Sequence, residues 1–210
     1  MDLASIFGNI DIYLFDQLLR GRIAPGMRLL DAGCGGGRNL VFLLREGYDV
    51  HAVDEDPRAI ASVREMAAAL APRLPPTQFR VEPIERLSDP DRCFDAILSN
   101  AVLHFAADGA QFDAMVRSMW RVLRPGGMLF CRLASSIGMA DAMAPLGHGR
   151  YLLPDGSERY LVDQARLLAV TAALGGTLLD PLKTTLVQDQ RCMTTWVLAK
   201  PVASARRLQP

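Results

Sequence analysis

The stretch 28-RLLDAGCGGGRNLVFLL-44 decides the fold. It runs from an apolar segment through Asp31 to glycines at 33, 35, 36 and 37, then into a second apolar segment. Arg28 to Asp31 reads as a short buried strand after a turn at Pro25 and Gly26. Leu40, Val41, Leu43 and Leu44 recur at helical spacing, so the pattern predicts a helix over 38–46 that stops near Gly47. Strand, glycine turn and helix make the first half of a βαβ unit. Glycine reaches positive φ freely and carries no side chain. A ligand can therefore approach this backbone closely, near the positive end of a helix.

Two ligand classes use such turns. The dinucleotide fingerprint G-x-G-x-x-G/A needs a small third residue where helix and strand pack. Gly33 and Gly35 fit it, but Arg38 stands in the third place. The spacing D-x-G-x-G-x-G fits without a mismatch as Asp31, Gly33, Gly35 and Gly37. A carboxylate at the strand end repels a pyrophosphate and suits an ammonium group. The turn alone leaves both classes open, together with an ordinary tight βα turn that binds nothing.

The chain has 210 residues, 50% of them hydrophobic, which suits one domain with a full core. Lys and Arg number 23 and Asp and Glu number 23. That balance argues against nucleic acid, whose phosphates demand a basic face, and against a polybasic membrane anchor. The opening MDLASIFGNIDIYLFD has no basic n-region, unlike a secretory signal, and no apolar run is long enough to span a bilayer. Cys34, Cys93, Cys131 and Cys192 are scattered with no CxxC pair. They read as reduced thiols of a cytoplasmic protein, with no metal site, and Cys131 and Cys192 as core residues of strands.

Working outward, residues 10–22 form an amphipathic helix whose apolar face is Ile12, Leu14, Phe15, Leu18 and Leu19. It caps the fold within an N-terminal segment 1–26. Further strands are predicted at 49–53, 78–82, 93–99 and 128–134, and helices from 57 to 70 and over 110–123. Residues 72–76 are a loop, and 124-RPGG-127 is a turn. This alternation predicts an α/β, doubly wound, Rossmann-like, mostly parallel sheet. After a helix at 161–174, segments 177–187 and 191–200 are joined by only 188-QDQ-190, so they pair antiparallel. Pro181 marks a bulge or an edge. One domain then fills 1–200, and 201–210 is a frayed tail. Residues 134–160 are a long insertion ending in a hairpin around Asp155 and Gly156. Ligands of open α/β sheets sit at the carboxyl ends of the strands, so this insertion is expected to form a lid over a substrate.

Asp54 ends the second strand about 20 residues after the glycine turn, where a carboxylate can bind two ribose hydroxyls. Both ligand classes share that feature. At this point LLDAGCGGGRNL, AVDEDP, FDAILSNAVLHF and LRPGG, with the terminal strand pair, resemble the class I S-adenosylmethionine-dependent methyltransferases. The run GCGGGRN…LLREGYDV is similar to the tellurite-resistance and thiopurine-type small-molecule branch.

The resemblance implies a seven-stranded sheet and a set of roles. Asp31 and the turn Gly33, Cys34, Gly35 and Gly37, with Asn39, would hold the methionine end of S-adenosylmethionine. Asp54 and Glu55 would bind the ribose side. The family's adenine-side aspartate falls on Pro83, which has neither carboxylate nor N–H, so Ile84 and Glu85 would take over. Asn100 and Ala101 would line the methionine moiety. The small-molecule acceptor would meet Tyr13, Phe105, Arg132 and Tyr151, although ordinary packing explains each of these as well.

Displacement at a sulfonium expels a neutral group and needs no acid; a thiolate acceptor needs no base, whereas a hydroxyl does. His104, just past the fourth strand, is the candidate catalytic base, and its rival role is a hydrogen-bonded residue at a helix start. The sequence 99-SNAV-102 lacks the Asn-Pro-Pro-aromatic motif of amino-methylating DNA and glutamine enzymes. A non-catalytic binder of S-adenosylmethionine or S-adenosylhomocysteine and an NAD(P)-binding oxidoreductase remain as alternatives. Oligomeric state is not legible.

Overall fold

The computed structural model describes residues 2–139 and 142–202. Strand β1 (Arg28–Ala32) is central, with β2 (Asp49–Asp54) and β3 (Phe79–Val81) on one side and β4 (Phe94–Asn100) and β5 (Leu123–Ala134) on the other. These five run parallel. Strands β6 (Ala144–Gly147), β7 (Arg150–Leu152) and β8 (Glu158–Tyr160) form a separate antiparallel sheet. Strands β9 (Thr177–Leu178), β10 (Lys183–Val187) and β11 (Arg191–Ala199) complete the main sheet. β11 lies antiparallel beside β5, and both β9 and β10 pair with its other edge. The path β10-β11-β5-β4-β1-β2-β3 is the expected seven-stranded, mostly parallel sheet, with β9 as an added eighth strand.

Parallel strands covered on both faces need apolar residues without interruption. Leu29, Leu30, Val50, Ala52, Val53, Ala96, Ile97 and Leu98 meet that need and are buried. Alternate residues feed opposite layers. Leu29, Val50, Ala96 and Leu98 pack under helices α2 (Ile12–Leu19), α3 (Val41–Arg45) and α4 (Pro57–Leu70). Leu30, Val53 and Ile97 pack under α5 (Gly109–Val122) and α6 (Gln164–Ala173). Each fully buried aliphatic side chain contributes ~1.5–3 kcal/mol. Trp196 is wholly buried in the second layer and donates its indole N–H to Thr171 Oγ1 at 3.0 Å. Aspartates start the helices: Asp11, Asp56, Asp108 and Asp163 each accept a first-turn amide.

Several expectations need correction. The N-terminal cap is two helices: α1 (Leu3–Phe7) ends at Gly8, which has φ +62°, and α2 begins only at Ile12. The helix predicted over 38–46 shrinks to α3, because residues 38–40 stay in the turn, closed by Leu40 N–H to Gly37 O at 2.9 Å. A helix this short carries little macrodipole, and the amides of Gly33, Cys34, Gly35 and Gly37 have acceptors within the protein, so the turn presents bare backbone rather than a helix end. Residues 124–127 are a bulge inside β5, where the register with β4 jumps between Phe94 and Ala96. The segment 177–187 is interrupted at Asp180 and Pro181 and becomes β9 and β10. The hairpin around Gly156 gains a third strand, β6. Residues 140 and 141 of the insertion, and the tail from 203 onward, lie outside the described residues. No described helix is long and apolar enough to cross a membrane.

Candidate functional site

The carboxyl ends of β1, β2, β3 and β4 open into one cleft of about 480 Å³. Its floor is the turn after β1. Gly33 has φ +83°, and a Cβ there would come within 2.5 Å of Val102. Gly37, at φ +77°, is packed in the same way against Val63 at 3.0 Å and stays off the cleft wall. Gly35 differs, because its φ is +50° and a Cβ would meet nothing within 4 Å. Two glycines thus allow the turn to pack, while Gly35 and Gly36 present bare backbone to the cleft.

Asp54 joins this turn to β2. Its Oδ2 accepts the Gly35 amide at 2.8 Å and its Oδ1 accepts the Asp56 amide at 2.9 Å. Glu55 lies beside it on the wall. Asp31 sits beneath the turn, 1% exposed, and neither of its carboxylate oxygens has a hydrogen-bond partner among the described residues. Burial pushes its carboxyl up to about 7, with Arg38 opposing and Asp54 adding. Cys34 lines the cleft, and burial, with Asp31 and Asp54, pushes its thiol up.

The wall beyond β3 is Glu82, Pro83, Ile84 and Glu85. Glu85 Oε1 accepts from Gln111 Nε2 at 3.2 Å, and Gln111 and Met115 of α5 line the same wall. At the end of β4, Asn100 and Ala101 line the cleft. Ala101 is a non-glycine residue at φ +63°, held by its N–H to Arg132 O at 2.7 Å.

A polar network closes the cleft toward α2. Asp11 caps α2 with Oδ1 and accepts from Arg132 with Oδ2 at 3.0 Å. Its amide donates to Asn39 Oδ1 at 3.0 Å, and Arg38 approaches Oδ2 at 3.8 Å. Arg38 donates to Asn100 Oδ1 at 2.9 Å. The Arg132 guanidinium lies 5.2 Å from the Tyr13 ring centroid, and Tyr13 Oη meets Thr185 Oγ1 at 2.6 Å.

The proposed acceptor residues therefore do not converge. Tyr13 and Arg132 meet in this network. Phe105 lines the cleft mouth, 58% exposed, under the Arg159 guanidinium at 4.7 Å. Tyr151 packs instead with Ala134, Leu153 and Leu161 below the small sheet. His104 is off the cleft wall: it is buried, and its Nδ1 accepts the Ala134 amide at 3.0 Å. Burial, with Arg159, pushes its imidazole down to about 4, so it is neutral with the proton on Nε2. Asp11, Gln111, Met115 and Val102 were not singled out from the sequence. Asp11 carries a signal that was available, an aspartate just before an amphipathic run.

S-adenosylmethionine fits this donor set: a buried, unpartnered carboxylate suits its ammonium, and a strand-end carboxylate suits ribose hydroxyls. A family model described as a methyltransferase domain matches residues 30–131. The ubiquinone biosynthesis O-methyltransferase of Methylocella silvestris is 34% identical over 184 residues, covering 80% of this chain and 69% of that protein. Its counterpart in Sinorhizobium medicae is 32% identical over 64% of this chain, which spans only 53% of that relative. A SAM-dependent methyltransferase structure from Methanosarcina mazei superposes with a TM-score of 0.72 at 20% identity, covering 88% of this chain and 97% of that one. These findings set the dinucleotide reading aside. The chain belongs to the class I methyltransferases that use S-adenosylmethionine.

Proposed function

We propose that this methyltransferase moves a methyl group in line onto an oxygen of a small-molecule acceptor. The observation that carries the cofactor assignment is the Asp31 carboxylate, buried under the glycine turn with both oxygens unpartnered. When bound, S-adenosylmethionine supplies a methyl carbon on a positive sulfur. The chain holds and orients it: Asp31 takes the ammonium, the bare backbone at Gly35 and Gly36 lies along the methionine moiety, and Asp54 takes the ribose. With Pro83 in place of an aspartate, the Glu85–Gln111 pair and the buried Ile84 recognise adenine.

The oxygen acceptor is supported by the name of the relatives. Residues 1–200 act as one domain in this reading, with the 134–160 insertion as lid and the N-terminal helices as cap. Balanced charge favours a free metabolite over nucleic acid as the acceptor, and the scattered cysteines favour a cytoplasmic enzyme. Calorimetry with S-adenosylmethionine, S-adenosylhomocysteine and NAD tests the cofactor, and labelled-methyl transfer to a panel of hydroxyl compounds tests the reaction. Preference for NAD, or binding without turnover on any hydroxyl, overturns it.

A further inference from the structure

The end of the cleft toward α2 holds donors in excess of acceptors. Asn100 is 7% exposed, and its Nδ2 has no hydrogen-bond partner among the described residues. Its register neighbour on β5 is Arg132, so both side chains rise from the same face of the sheet. Arg132 lies behind the cleft wall rather than on it, its side chain 20% exposed, and its Nε is likewise buried and unpartnered. Arg38, bonded to Asn100 Oδ1, adds a guanidinium that is 48% exposed on the cleft wall. Against these two cations stands Asp11, whose Oδ1 is spent on the α2 cap and whose Oδ2 is spent on Arg132. Asp31 lies below the turn, and the carboxylates that line the cleft, Asp54, Glu55, Glu82 and Glu85, stand at the ends of β2 and β3.

Orphaned buried donors beside two guanidinium groups call for an oxygen rich in lone pairs. We propose that Arg132, Asn100 and Arg38 bind an anionic oxygen of the methyl acceptor, so that the substrate is a carboxylate, or a hydroxyl acidic enough to enter as its anion. This rests on the cofactor reading above and deepens it.

The chemistry agrees. No histidine lines the cleft among the described residues, its lining carboxylates Asp54, Glu55, Glu82 and Glu85 stand at the ends of β2 and β3, and Asp11 is engaged at both oxygens. An acceptor that arrives ionised needs no base. Its oxygen lone pair forms the C–O bond while the C–S bond breaks and its pair stays on sulfur. Anion and sulfonium yield two neutral products, and no proton moves.

The test has two stages. S-adenosylhomocysteine is first titrated into the protein; failure to bind refutes the cofactor reading, not this one. Benzoate, acetate and the neutral isostere benzamide are then titrated into the saturated complex. Benzoate should bind at least about tenfold more tightly than benzamide. Arg132→Gln should weaken benzoate by about tenfold and leave S-adenosylhomocysteine nearly unchanged. Should that variant misfold, Arg132→Lys, which loses the planar fork, should weaken it in part. Asp11→Asn keeps a capping oxygen but removes the competing internal anion, so it should tighten benzoate. Equal binding of benzoate and benzamide, or no binding of either anion, overturns the proposal. So does benzoate that binds only by displacing S-adenosylhomocysteine, because the donors would then serve the cofactor's own carboxylate.

Discussion

Asp54 Oδ2 accepts the amide of Gly35 at 2.8 Å, across 19 residues of sequence, and so fastens the end of β2 to the turn after β1. Its other oxygen holds the Asp56 amide at the start of α4. One carboxylate thus sets the shape of the cleft as well as its chemistry. Asp54→Ala should abolish measurable S-adenosylmethionine binding in calorimetry. It should also lower unfolding free energy by about 1–3 kcal/mol, since two amides lose their acceptor. Unchanged affinity would refute the ribose assignment.

As the proposed partner of the cofactor's ammonium, Asp31 should make ligand affinity depend on pH. Burial pushes its carboxyl from 3.8 to about 7. A raised folded value favours the folded state fully below pH 3.8, and that contribution is lost as pH rises to about 7, at ~1.4 kcal/mol per unit. In the proposed binding mode the ammonium of S-adenosylmethionine pairs with the ionised form, so affinity should climb with pH up to about 7 and then level off. Asp31→Asn should stabilise the ligand-free protein at about pH 8, weaken cofactor binding and flatten the profile. Calorimetry and denaturant unfolding across pH read both effects.

His104 works in the opposite direction. Its imidazole falls from 6.5 to about 4. A depressed folded value gives stability that is present above pH 6.5 and lost as pH falls toward 4, again at ~1.4 kcal/mol per unit. Between these limits the slopes of Asp31 and His104 oppose each other in the native chain. Asp31→Asn should therefore unmask acid sensitivity, and adding His104→Asn, whose Oδ1 can still accept the Ala134 amide, should remove it. Acid sensitivity that survives the double change would place its origin elsewhere.

Gly33 combines φ +83° with a Cβ position 2.5 Å from Val102. Gly33→Ala should cost about 2 kcal/mol or more, part from the left-handed backbone and part from the clash. Adding Val102→Ala should recover only the steric part. A double-mutant cycle in denaturant measures that coupling, and strict additivity would show that Val102 is not the obstacle.

The sheet was legible because its strands are apolar on both faces, as in Leu29–Leu30 and Ala96–Leu98. β6 was not legible: all four of its residues are exposed, so no periodicity marks it. α1 was not legible, because none of its five residues is buried and no periodicity marks it. In the site, local motifs exposed Asp31, the glycines and Asp54, which lie close in sequence. The bond from Arg132 to Asp11 spans 121 residues, and no local pattern reports such a partner. His104 sat at the right place on the chain but turned toward β5, a direction fixed by the Ala134 amide rather than by sequence spacing.

Cys34 lies on the wall of the cleft proposed to receive an alkylating agent. A thiolate there would be the strongest soft nucleophile within reach and a natural victim of self-alkylation. Burial and the two neighbouring carboxylates keep the sulfur protonated and inert. The same negative surroundings that welcome a positively charged donor therefore protect the protein from the reagent it carries.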